Sequence, residues 1–144
     1  MINPAVSGRV SSDCAVGEEL PESVVPITRA LIVAGALATR DFQDVHHDAV
    51  QAVARGSKDI FMNILTTNGL VGQFVSAWAG PAATVRRIKV RLGAPNYPGD
   101  DMHLSGTVSS KDGDTIVVAV RGRNSLGDHV NGTVTVAYES PGAR

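Results

Sequence analysis

The spacing of apolar residues changes along this chain, and the change marks out its elements. Between residues 64 and 78, Ile64, Leu65, Leu70, Val71, Phe74, Val75, Ala77 and Trp78 leave almost no wholly polar face. A helix apolar on most sides belongs inside a core. Asn63 suits its N-cap and Gly80-Pro81 is a strong stop. Gly69 and Gly72 lower helix propensity within it, which predicts close approach of another backbone. Beyond Pro81 the period becomes two. Ile88, Val90 and Leu92 alternate with Arg87, Lys89 and Arg91; Met102, Leu104 and Val108 follow the same rule. So do Ile116, Val118 and Val120, then Val130, Val134, Val136 and Tyr138. These are four half-buried strands. Asp112-Gly113 and Leu126-Gly127-Asp128 supply tight turns.

Upstream the signals are shorter. Leu20 to Thr28 carries β-branched residues and two prolines, which suggests an irregular or edge strand. Ala30 to Ala38 reads as a short helix, followed by a polar loop holding His46, His47 and Asp48. Residues 1–19 lack sustained periodicity and are expected to form a flexible or loosely docked arm before a single domain over 20–140. One long buried helix, four antiparallel strands after it and one strand before it predict an α+β fold. A curved sheet wrapped around a central helix, the hot-dog architecture, satisfies that order.

At 144 residues the chain has the length of one domain, and its net charge of −1 argues against a mainly electrostatic partner such as duplex DNA. The longest apolar run, Ala30 to Ala38, is far short of the roughly 20 residues needed to span a bilayer. No basic start leads into an apolar stretch, so no secretory signal is readable and a cytoplasmic location is expected. Cys14 is the lone cysteine, which excludes an internal disulfide. The histidines lack ligand spacing, and no metal is expected.

The candidate chemistry lies in Asp41-Phe42-Gln43-Asp44-Val45-His46-His47-Asp48. A carboxylate and an imidazole on one short loop can share a single water, and histidine exchanges protons in either direction near neutral pH. An Asp and a His at this spacing are a weak signal by themselves, since such residues are more often solvated. The wider tract is more specific. It resembles the hydratase motif of MaoC-like, (R)-specific enoyl-CoA hydratases, D-F-N-P-[LIV]-H-x-D: Asp41, Phe42, Val45, His46 and Asp48 match, while Gln43 and Asp44 depart from it. Within that family the chain is similar to the small subunits of heteromeric actinobacterial hydratases of steroid side-chain degradation. The tracts Ala38 to Asp48 and Gly122 to Val130 carry that narrower likeness.

The resemblance implies a hot-dog fold, Asp41 and His46 as the acid–base pair, and addition of water across the α,β double bond of a bulky enoyl-CoA. It implies no separate cofactor, because coenzyme A arrives as part of the substrate. It also implies a larger MaoC-like partner subunit. The family stabilises the thioester oxygen with a backbone N–H at the start of the central helix, usually a Gly in an H-G-M triplet. That triplet here reads Met62-Asn63-Ile64, which makes the Asn63 N–H the expected oxyanion donor and its side chain dispensable. Some members place a Ser further along the helix, where Val71 stands. His47 and Asp48 are expected to shape the loop, and His103 and His129 to lie on outward strand faces. The basic row of Arg86, Arg87, Lys89 and Arg91 reads as a solvated face, with Arg87, Lys89 and Arg91 as candidate contacts to CoA phosphates. A homodimeric hydratase of simpler acyl-CoA, a hot-dog thioesterase and a non-catalytic scaffold remain as alternatives.

Overall fold

The computed structural model describes residues 8–139. Its sheet contains β1 (Ser23–Ile27), β2 (Ala83–Leu92), β3 (Asp100–Asp112), β4 (Thr115–Asn124) and β5 (Gly127–Tyr138). The strands lie in the order β1-β3-β4-β5-β2, antiparallel throughout. Three helices accompany them: α1 (Arg29–Ala38), α2 (Ala49–Ala54) and α3 (Ile64–Ala79). The α+β hot-dog arrangement expected from the pattern is therefore present. None of the described helices is long and apolar enough to cross a membrane.

Period-two burial makes the sheet one-sided. Met102, Leu104 and Val108 of β3, Ile116 and Val118 of β4, and Val134 and Val136 of β5 are all buried. They meet Val71, Phe74, Val75 and Trp78 of α3 in one core. Truncating a ring such as Phe74 there would cost about 3–5 kcal/mol. The helix starts and stops where its sequence predicts. Asn63 caps it by accepting from Thr66 N, and Gly80 ends it at φ 82°, a left-handed conformation that a side chain would strain.

The row Val85-Arg86-Arg87-Ile88 breaks the alternation of β2, with both arginines exposed. A β-bulge explains this, because Val85 pairs with Val136 and Arg87 already with Thr135, leaving Arg86 as the extra residue.

One expectation changes. Gly69 and Gly72 do not face another backbone: a Cβ at Gly69 would meet nothing, and one at Gly72 would meet only the Ile88 side chain. A close contact with α3 is made instead by Gly35 of α1, where a Cβ would lie 2.2 Å from the side-chain Oγ1 of Thr66. The arm expected at 1–19 is described from Gly8 onward, and there it is docked. Gly17 N donates to Val108 O, Val108 N to Glu18 O and Leu20 N to Gly106 O. These bonds cover the part of the β3 edge that short β1 leaves open, whose backbone groups need partners. Cys14 is buried beside the Tyr138 hydroxyl, and Arg9 lies 4.4 Å above the Trp78 ring while pairing with Glu18. β1 is the edge strand that Pro26 predicts.

Candidate active site

Asp41 is placed by the end of α1. Asp41 N donates to Ala36 O and Arg40 N to Leu37 O, which closes a Schellman turn. The residue at the left-handed position of such a turn is usually Gly; here it is Arg40, at φ 57°. Backbone strain of this kind persists where the surroundings over-determine it. In this chain it sits next to the candidate carboxylate.

His46 follows on a single 3-10 turn, Asp44–His46. Phe61 N donates to Val45 O, and the Phe61 carbonyl lies 2.7 Å from His46 Nδ1. A carbonyl only accepts, so Nδ1 carries the proton and Nε2 is left to the cleft. The Phe61 ring meets the imidazole edge-on, with centroids 5.0 Å apart. Nε2 stands 3.3 Å from Asp41 Oδ2. Two acceptors that close need a proton between them, either on the ring or from a water that donates to both.

Of the two residues after His46, Asp48 has a structural role. Asp48 caps α2, with Oδ1 accepting from Val50 N and Gln51 N. His47 is exposed, and its ring has only a 3.3 Å contact with Phe42 O. Asp44 pairs with Arg55 at 2.8 Å.

Asn63 completes the group. It is buried at the N-terminus of α3, where free N–H groups and the helix dipole favour negative charge. Its own peptide N–H has no acceptor among the described residues. The side chain, expected to be dispensable, is fully engaged. Oδ1 accepts from Thr66 N and Thr66 Oγ1, while Nδ2 donates to Thr39 Oγ1 at 2.9 Å and to Asp41 Oδ2 at 3.1 Å.

Asp41, His46, Phe61, Asn63, Leu92 and His129 are among the residues lining a cleft of about 290 Å³. His129 is a correction, because it is almost fully buried and does not lie on an outward face. The cause is a bulge: Gly122 pairs with Val130 and Arg123 with Asp128, so His129 is the extra residue and turns inward beside Val130. Its Nδ1 donates to Ala94 O at 2.7 Å, which leaves Nε2 to accept from the Thr67 hydroxyl at 2.8 Å. Burial holds its pKa below the usual histidine value, although the Ala94 bond works in the opposite direction.

Asn124 supports the same wall by donating to Pro95 O and Asn96 Oδ1. Asn96 O in turn accepts from Met62 N. The tract Gly122 to Val130 thus holds the far side of the cleft. Its polar composition, rich in turn-forming residues, hid that role.

Val71 is buried in the core, and His103 is exposed beside Glu22. Arg87, Lys89 and Arg91 line no part of the cleft; they project from the exposed face of β2, opposite half-buried Ile88, Val90 and Leu92. No group of three or more potential metal ligands occurs among the described residues.

Comparison with known proteins places the chain in a family. The family model described as "MaoC like domain" matches residues 13–128. The 3-oxo-4,17-pregnadiene-20-carboxyl-CoA hydratase beta subunit of Mycobacterium tuberculosis is 53% identical over 122 residues, covering 85% of this chain and 95% of that protein. Among solved structures, the ChsH1-ChsH2 complex from Mycobacterium tuberculosis matches with a TM-score of 0.85 and 52% identity, covering 87% of this chain and 98% of that one. The unliganded R-hydratase PhaJ1 from Pseudomonas aeruginosa shares the fold, with a TM-score of 0.82 at 21% identity over 92% of this chain and 86% of that one. With the family model spanning most of its length and a relative this similar, the chain belongs to the MaoC-like family.

Proposed function

We propose that this chain is the subunit bearing the acid–base pair of a hetero-oligomeric enoyl-CoA hydratase acting on a steroid side-chain thioester. The observation that carries the reading is the Asp41–His46 contact at the cleft, in a chain so similar to a steroid-CoA hydratase beta subunit. The water oxygen bonds to the β-carbon, and the double-bond electrons move toward the thioester oxygen. Asp41 and His46 together take one proton from the water and return one to the α-carbon. The Asn63 N–H and the α3 terminus stabilise the charge on the thioester oxygen. No cofactor is needed beyond the coenzyme A of the substrate. Arg87, Lys89 and Arg91 serve its phosphates, on the strand whose last residue, Leu92, reaches the cleft. The compartment is the cytoplasm, where acyl-CoA is handled.

The partner is a larger MaoC-like chain. Phe42 is 65% exposed next to Asp41, and Ile64 and Leu65 are exposed next to Asn63, so apolar surface flanks the site. A permanent partner would bury on the order of 2,000 Å² or more.

The test is to co-purify the chain with such a partner, supply a steroid side-chain enoyl-CoA and follow hydrated product against free thiol. The proposal expects hydration with the thioester intact, and far weaker turnover by the lone chain. Release of free coenzyme A would make the protein a thioesterase. Full-rate hydration by a lone homodimer would remove the partner.

A further inference from the structure

We infer that the Asn63 side chain is a positioning residue for Asp41, holding Oδ2 toward His46 through its amide N–H; this rests on the acid–base role proposed for Asp41. The orientation of the amide follows from chemistry. Thr66 N is a backbone donor and can bond only to an acceptor, so the atom 3.0 Å from it is the oxygen Oδ1. The –NH2 group must then face Thr39 and Asp41. All four hydrogen-bonding positions of the side chain are filled, and the residue is 2% exposed. It has no alternative orientation of equal satisfaction.

The consequence for the site is geometric. Asp41 is half-buried, and its other oxygen, Oδ1, has only a 3.4 Å contact with Gln43 N. Oδ2 is shared between Asn63 Nδ2 and His46 Nε2. The amide therefore anchors one carboxylate oxygen against the imidazole and leaves the other free for water or substrate. A glycine here would supply the backbone N–H without the anchor. The same side chain caps α3, so the first turn that offers the oxyanion donor and the carboxylate that handles the proton are set by one residue. His46 is the titratable group facing Asp41 Oδ2 in the described structure, and Thr39 contributes a neutral hydroxyl to the same amide.

Two variants in the co-purified complex separate positioning from capping. Asn63→Asp keeps a good cap but puts an oxygen where Nδ2 stood, against the Asp41 carboxylate. kcat should fall by about 10²-fold with KM little changed, and the acid limb of the pH profile should move to higher pH. Asn63→Ser also caps but is too short to reach Asp41; its kcat should fall without that pH displacement. A folded Asn63→Asp complex with wild-type kcat and pH profile would overturn the inference. If that variant does not fold, wild-type kcat in Asn63→Ser would do so. One readout needs no turnover: the Asn63 side-chain amide resonances should shift in Asp41→Ala, and unmoved resonances would overturn the contact. A wild-type complex that hydrates nothing, but shows that shift, would instead fail the proposed function.

Discussion

Asp41 Oδ2 and His46 Nε2 lie 3.3 Å apart, while the other nitrogen of the same ring is committed to the Phe61 carbonyl. The imidazole is thereby fixed in tautomer and in direction, so proton exchange is confined to the nitrogen that faces the carboxylate. Everything that sets the distance between these two groups should register in turnover.

Gly35 is one such determinant. A Cβ there would fall 2.2 Å from Thr66 Oγ1 and 3.1 Å from Thr66 Cβ, in a buried contact with little room to yield. Gly35→Ala should lower the unfolding free energy by about 1–3 kcal/mol. It should also reduce kcat, because moving α1 away from α3 stretches the Asn63–Asp41 bond. Denaturant midpoints and kcat on the same preparations check this; an unchanged midpoint would show slack between the helices.

Arg40 should respond in the opposite way. Its left-handed conformation costs a residue with a Cβ about 1–2 kcal/mol, and glycine escapes that cost at the expense of unfolded-state freedom. Arg40→Gly should leave stability equal or raise it by up to about 1 kcal/mol, with kcat close to wild type. Arg40→Val should destabilise. Thermal melts of the pair decide the matter, and destabilisation by glycine would mean that the Arg40 side chain matters more than its backbone.

His129 predicts a pH dependence. Its folded pKa lies below the ordinary histidine value, chiefly through burial. The unfolded chain therefore binds the proton first as pH falls. The stabilisation is fully present above an unfolded pKa of about 6.5 and is lost as pH drops from there toward the folded pKa. Unfolding free energy measured between pH 7 and about 5 should decline, and His129→Gln should flatten the decline. Equal slopes in the two proteins would contradict the burial-driven shift.

The elements that a local pattern encodes were legible in the sequence, and those that depend on distant contacts were not. α3 could be read because Asn63 and Gly80 bound a run that is apolar on most sides. β1 could be placed at an edge because Pro26 cannot donate to a ladder. α2 has little local signal because six residues carry too little period, and only Asp48, as its cap, marks it. Alternation puts His129 on the outer face because counting every second residue fails across a bulge, and no single strand shows where its partner skips. Asp41 and His46 stood out through a motif, and the structure brings them together. The engagement of the Asn63 amide could not be foreseen. It requires α1 and α3 to meet at Gly35, a contact between segments with no shared local signal.

The most direct test of the account is a double-mutant cycle on Asp41 and His46 in the co-purified complex, read as kcat for hydration of the enoyl-CoA. Asp41→Asn and His46→Ala should each lower kcat by about 10²- to 10⁴-fold with circular dichroism unchanged. The double variant should lose little beyond the worse single one, because both groups serve one water. His47→Ala, whose ring has only the weak contact with Phe42 O, should stay within a few fold of wild type. Losses that multiply in the double variant, or near-normal turnover in either folded single variant, would contradict the paired role.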